Sequence, residues 1–232
     1  MTPPRPRIAV VVFPGSNDDR DAAWALHALG ADPVLVWHRD PELPNVAGVV
    51  LPGGFSYGDY LRCGAIARFA PAMQAVTRFA AAGGPVLGIC NGFQILCEAG
   101  VLPGALRPNR SLEFICRDAR VRVERSNTLL TSRCEQGQTL TIPIKHGEGC
   151  WYADEELYEE LDELDQIVFR YDGENPNGAV HDVAGICNRD GNVLGLMPHP
   201  EHAVDPLLGP ADGALILASL VDAARERRPA LV

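Results

Sequence analysis

Residues 84–96, GPVLGICNGFQIL, constrain this chain more than any other stretch. Residues 85–89 form a nearly continuous apolar run behind Gly83 and Gly84. A strand without a polar side has to be buried on both faces, as in the middle of a parallel sheet. Phe93, Ile95, Leu96 and Ala99 then switch to helical spacing, and Gly100 is the expected C-cap. Cys90 falls on the corner between Gly88 and Gly92. This G-x-C-x-G pattern is the cysteine form of the nucleophile elbow, in which a strained strand-to-helix turn pushes the reactive atom out of the sheet. The helix N-terminus favours the thiolate, and the Asn91 N–H is placed to receive a developing oxyanion. A lone cysteine is more often a small buried hydrophobe. The two glycines and the strand-to-helix junction reverse that expectation here.

The same rhythm recurs upstream. Residues 7–13 (RIAVVVF) read as a buried strand, and the turn at 14–17 ends in Asn17 as N-cap of a helix that has Asp18 and Asp19 in its first turn. That helix carries Ala22, Leu26 and Leu29 on one face and stops at Gly30; strands follow at 33–37 and 48–51. Strand, helix, strand in this order predicts an α/β fold, a mostly parallel, doubly wound sheet flanked by helices. Such sheets bind ligands outside the carboxyl ends of their strands, so the turns after Phe13, Leu51 and Ile89 are the places to search. The turn at 52–60 (PGGFSYGDY) permits close backbone approach to a ligand, or is an ordinary flexible loop. It lacks the Gly-Lys-[Ser/Thr] ending of a phosphate loop. Residues 65–82 are expected to be helical and divided or kinked at Pro71.

Beyond Gly104 the segments shorten and alternate. Residues 112–123 place Phe114 and Cys116, then Val121 and Val123, facing one way. Strands are expected at 139–144, around Val168 and Arg170, at 184–188 and at 193–196, with a hairpin turn at 188–191 (NRDG). This predicts a small antiparallel extension on the same core, and one domain over residues 7–226. Residues 154–165 (DEELYEELDELD) are an acidic helix with Leu157, Leu161 and Leu164 on one face; its carboxylates read as a solvated surface rather than a metal site. Residues 211–225 form a closing helix.

Composition removes several functions. A net charge of −10 argues against a nucleic-acid partner or an anionic membrane surface. No stretch is long and apolar enough to span a bilayer, and no signal-peptide core precedes residue 7. Seven scattered cysteines without a C-x-x-C pair indicate neither a disulfide framework nor a zinc site, so the expectation is a cytoplasmic protein with reduced thiols. Lys145 is the only lysine.

A cysteine nucleophile needs an imidazole, and the imidazole needs an orienting acceptor. Of the six histidines, His27 and His38 read as surface or packing residues and His181 has no evident partner. His146 lies in a glycine-rich turn, KHGEG. His199 follows the strand at 193–196 within PHPEH. His199 and Glu201 stand two apart on one side of an extended segment, which lets Glu201 accept from the imidazole while its other nitrogen faces Cys90. Zinc on His199 and His202 would need a further ligand, and none is signposted.

With PGG at 52–54, G-x-C-x-G-x-Q at 88–94 and H-x-E at 199–201, in that order, the sequence resembles the class I glutamine amidotransferases over nearly its whole length. FPGSN at 13–17, LPGGFSYGDYLRCGAIA at 51–67, GICNGFQIL at 88–96, HGEG at 146–149, NPNG at 175–178 and MPHPE at 197–201 are similar to one branch of that family. Members of the branch are separate glutaminase subunits that feed ammonia to a synthase of purine biosynthesis. The resemblance implies a flavodoxin-like sheet and a Cys90–His199–Glu201 triad that hydrolyses L-glutamine through a thioester. It implies an oxyanion hole from the N–H groups of Gly54 and Asn91, and glutamine held by Gly53, Gln94, His146, Gly147 and Glu148. It implies no metal or cofactor in this chain. ATP and Mg would belong to a large synthase partner that converts formylglycinamide ribonucleotide, and a small third subunit would complete the complex. Two positions depart from the pattern: Asp18 stands where relatives usually carry cysteine, and His202 where many carry arginine. Neither is expected to touch the triad, which leaves them to peripheral packing or partner contacts. The rival readings are a stand-alone cysteine hydrolase or peptidase, whose relatives place the histidine soon after the cysteine where this chain has Asn91, and a non-catalytic binding module, which an intact Cys90, His199 and Glu201 argues against.

Overall fold

The computed structural model describes residues 4–227, so Met1–Pro3, part of the segment read above as lacking a leader, lie outside it. Five strands form the parallel half of a nine-stranded sheet: β1 (Arg7–Val12), β2 (Asp32–Trp37), β3 (Gly48–Leu51), β4 (Val86–Ile89) and, from far along the chain, β11 (Val193–Leu196). Their spatial order is β2-β1-β3-β4-β11, each neighbour parallel to the next. Ile8 to Val11, Val49 to Leu51 and Val193 to Leu196, apart from Gly195, are core side chains at 0% exposure. That burial on both faces is what the unbroken apolar runs demand. Helices α1 (Asp19–Ala28), α2 (Pro71–Ala81), α3 (Asn91–Glu98) and α5 (Gly213–Glu226) cover the sheet.

The antiparallel part is larger than expected and is not a separate unit. Strands β10 (Val183–Cys187), β9 (Ile167–Tyr171), β6 (Ile115–Val123) and β7 (Thr139–His146) continue the same sheet beyond β11. The hairpin turn between β10 and β11 is as read: Asn188 Oδ1 accepts from the N–H groups of Asn192 and Val193, and Gly191 takes the left-handed φ of +70°. A small second sheet pairs β5 (Ala105–Arg107) with β8 (Cys150–Tyr152). The acidic helix is α4 (Glu155–Glu163), capped by Asp154 and burying Leu161.

Pro71 divides the 65–82 stretch as expected: a 3-10 turn at Ala67–Phe69 ends before it and α2 begins on it, because a missing N–H costs nothing in the first turn. Two other local expectations change. Asn17 is not the N-cap of α1; Asp18 holds that position and its side chain makes no capping bond. Val121 and Val123 of β6 are buried while Cys116, and Phe114 just before the strand, are exposed; even and odd positions of a strand face opposite ways. The carboxyl ends of β1, β3, β4 and β11 lie side by side, so the turns at 13–18, 52–60, 90–94 and 197–202 converge on one edge of the sheet.

Candidate active site

Cys90 sits between β4 and α3 at φ 49°, ψ −102°, a conformation that an L-residue holds only under constraint from its surroundings. The flanking glycines supply the constraint. A Cβ on Gly88 would meet the Gly92 carbonyl, and one on Gly92 would collide with the Leu51 carbonyl at the end of β3. Only glycine lets the start of α3 press this closely on the sheet, and the bend lands on Cys90. The side chain is 5% exposed, and Sγ lies 3.8 Å from the Lys145 carbonyl.

Opposite it, β11 runs into Pro198, His199 and Pro200. Residues Pro200–His202 are a 3-10 turn rather than the extended segment expected, because Pro200 fixes the helical φ at its first position. The turn still brings Glu201 back under the imidazole: His199 Nδ1 donates to Glu201 Oε1 at 2.6 Å. The His199 N–H donates to the Pro143 carbonyl of β7 at 2.8 Å, which ties the antiparallel half of the sheet to the site. Among the described residues His199 Nε2 has no hydrogen-bond partner. Burial pushes the imidazolium down, but the charges of Glu201 and Cys90 outweigh it and raise His199 to about 10. The imidazole of His199 is therefore held protonated at physiological pH.

The loop after β3 closes one wall. Gly54 has φ +138°, and a Cβ there would meet the backbone of Gly15 to Asn17, so it packs against the turn after β1 with its backbone on the cavity. Gly53, expected to touch substrate, has another place. A Cβ on it would lie 2.5 Å from Asp18 Oδ2 and 2.6 Å from His199 Cε1, so its missing side chain is space for the imidazole. A polar chain fastens the walls together: Ser56 N–H donates to Asn91 Oδ1, Asn91 Nδ2 to Gln94 Oε1, and Gln94 Nε2 to the Glu148 carbonyl. Gln94 thus joins the elbow helix to the 146–149 turn. His146 is likewise committed: its Nδ1 bonds Asn109 Oδ1 at 3.1 Å, and Asn177 Nδ2 approaches Nε2 at 3.5 Å. Burial and the nearby His199 charge lower His146 to about 4, so it is neutral at physiological pH. Gly149 is needed because a Cβ there would overlap the His146 ring.

These walls enclose a cavity of about 350 Å³ bounded by Cys90, His199, Gly54, Gln94, the 145–148 turn and Asp59. Sequence reasoning missed Asp59, whose Oδ1 is buried without a hydrogen-bond partner among the described residues and whose backbone has φ +54°. It also missed Asn109 as a clamp of the 146–149 turn; Asn177 carried a signal in the NPNG motif.

The placement of Asp18 and His202 corrects the expectation that both are peripheral. Asp18 is 3% exposed, with Oδ2 3.6 Å from His199 Nδ1, and His202 Nε2 lies 3.6 Å from Glu201 Oε1. Asp18 and Glu201 are thus the further donors that a His199–His202 zinc site lacked on paper, all four ligand atoms lying within 4.8 Å of one another. Those donors are spoken for. Lys145 Nζ reaches Asp18 Oδ1 at 2.5 Å, and the ring Nδ1–H of His199 is on Glu201.

Comparison with known proteins gives a consistent picture. Residues 5–212 match the model of the CobB/CobQ-like glutamine amidotransferase domain. The phosphoribosylformylglycinamidine synthase subunit PurQ of Rubrobacter xylanophilus is 56% identical over 219 residues, covering 94% of this chain and 99% of that protein. The same subunit of Gloeobacter violaceus is 55% identical over 227 residues, covering 94% and 98%. Among solved structures, PurLQS from Thermotoga maritima has a matching chain at TM-score 0.86 and 43% identity, covering 94% of this chain and 98% of that one. The glutaminase domain of the Trypanosoma brucei protein CTPS, at TM-score 0.64 and 17% identity over 96% of this chain and 94% of that one, shares the fold.

Proposed function

The chain belongs to the CobB/CobQ-like glutamine amidotransferase family, and from that premise we propose that it works as the glutaminase subunit of phosphoribosylformylglycinamidine synthase in purine biosynthesis. Relatives above 50% identity over nearly their full length carry that name. The matching chain of known structure belongs to an assembly with PurL and PurS, which makes a large synthase and a small third subunit the partners of this one. ATP and Mg are assigned to the synthase, and the complex to the cytoplasm. No helix of the described residues is long and apolar enough to cross a membrane.

The observation that carries the reading is the His199–Glu201 bond at 2.6 Å, with Nε2 left open beside a cysteine at φ 49°. The Cys90 thiolate attacks the γ-carbonyl carbon of L-glutamine. The developing oxyanion takes the N–H groups of Gly54 and Asn91, the latter the first residue of α3. His199 gives its proton to the amide nitrogen, the C–N bond breaks, and ammonia leaves a γ-glutamyl thioester on Cys90. A water then attacks the thioester, losing its proton to His199, and glutamate and the thiolate–imidazolium pair are restored. Glu201 keeps the imidazole in the tautomer that presents Nε2. Gly147 and Glu148 border the cavity where the amino-acid end of glutamine lies, on a turn that His146 and Gln94 hold in shape.

The test is ammonia release from glutamine by the chain alone and with its synthase partner, ATP and formylglycinamide ribonucleotide, for wild type and Cys90→Ala. Release that rises with the full system and vanishes in Cys90→Ala supports the reading. Release unaffected by Cys90→Ala refutes it.

A further inference from the structure

Asp18 occupies the N-cap position of α1 and declines the bond that an N-cap aspartate ordinarily makes to the helix. Its side chain turns inward instead. Oδ2 lies 3.6 Å from His199 Nδ1, the same nitrogen that donates to Glu201. Oδ1 receives Lys145 Nζ at 2.5 Å and stands 3.3 Å from His202 Nε2. A carboxylate withdrawn this far from water needs compensating charge. Here the chain's one lysine, at the end of β7, and an imidazole one residue past Glu201 surround it. These contacts draw the Asp18 carboxyl well below the usual range against the penalty of its own burial, so it is an anion at any physiological pH.

We infer that Asp18 is a positioning residue for catalysis: a second anion behind His199 that, together with Glu201, holds the imidazole protonated and fixes its ring, while Lys145 and His202 hold Asp18. The inference rests on the role given to His199 above. The charged and titratable groups facing His199 are Cys90 from the elbow, Glu201 and His202 from its own turn, Asp18 from the turn after β1, and Lys145 and His146 from the end of β7. Removing the Asp18 charge loses an attraction for the imidazolium and leaves the Lys145 cation uncompensated. Both changes favour the neutral ring. Removing Lys145 does the opposite, because the Asp18 anion then acts undiluted. Opposite signs from two members of one contact cannot come from general loosening of the site.

The experiment uses the full chain, with Asp18→Asn and Lys145→Met. The pH dependence of Cys90 alkylation by iodoacetamide, read on the Cys90 peptide by mass spectrometry, reports thiolate formation without glutamine or partner. The kcat and KM for glutamine are measured across pH in the assembled complex. In Asp18→Asn the alkylation midpoint should rise and the alkaline limb of kcat should fall by roughly three pH units, for one charge 3.6 Å away at an effective interior dielectric of about 20, with KM little changed. In Lys145→Met the alkaline limb should move up. Profiles of both variants that superimpose on wild type, or a change in KM alone, would overturn the inference. A wild-type chain that releases no ammonia would instead bring down the reading of the site.

Discussion

Replacing Gly53 with alanine puts one methyl group where the imidazole of His199 now lies. The new Cβ would stand 2.6 Å from His199 Cε1, 3.2 Å from its Nδ1 and 2.5 Å from Asp18 Oδ2. The backbone of Gly53 does not have the positive φ that would strain alanine, so the whole effect is steric. Ordinary carbon contacts need about 3.5–4.0 Å, so the ring or the strand end must give by about 1 Å. Overpacking of this kind costs about 1–3 kcal/mol, which for a chain of this size lowers the Tm by roughly 2–12 °C. The catalytic loss should be larger, since about 1 Å of misplacement at a reacting group costs on the order of 100-fold in rate. Gly53 does not border the cavity, so KM should hold while kcat falls. Steady-state glutaminase kinetics in the complex, with a thermal melt of the same preparation, read both numbers. An alanine variant with wild-type kcat would refute the view that the end of β3 sets the position of His199.

Other consequences follow from the buried imidazoles and the clamped turn. His146 is held down to about 4 by burial, against about 6.5 unfolded. A depressed histidine favours folding at neutral pH and loses that contribution as the pH falls, so urea unfolding should weaken by up to about 3 kcal/mol between pH 6.5 and 4. A His146→Gln variant should flatten that slope; an unchanged slope would contradict the assignment. His199 has the opposite sign. Raised to about 10, it contributes fully below about 6.5 and loses its contribution as the pH climbs through 10, so alkaline unfolding should be shallower in His199→Gln. Asn177 donates to the Gly149 carbonyl at 2.8 Å and approaches His146. Asn177→Ala leaves those buried acceptors unmet, which costs about 1–3 kcal/mol, and should raise KM for glutamine more than it lowers kcat.

What could be read from the sequence was what local periodicity and short motifs encode. The unbroken apolar runs of β1, β3 and β4 announced a buried parallel sheet, and the two glycines around Cys90 announced the elbow, because each states its own geometry within a few residues. The partnership of His199 with Glu201 was legible for the same reason, although Pro200 makes the link a turn. Asp18 was misread because its role depends on residues 127 and 184 positions away, Lys145 and His202. By itself it looked like first-turn helix chemistry. The extent of the antiparallel half was underestimated on similar grounds. β6, β9 and β10 look like isolated short strands until the backbone pairing joins them to β11. Gly53 and Gln94 were located on the right turns, but only packing shows that one makes room for His199 and the other ties Asn91 to Glu148.

The most direct test of the account is to quench the working complex in acid during glutamine turnover and map the chain by mass spectrometry. A γ-glutamyl adduct is expected on the Cys90 peptide alone, absent from Cys90→Ala and from reactions without glutamine. Steady ammonia release with no adduct at Cys90, or an adduct on another of the cysteines, would contradict it.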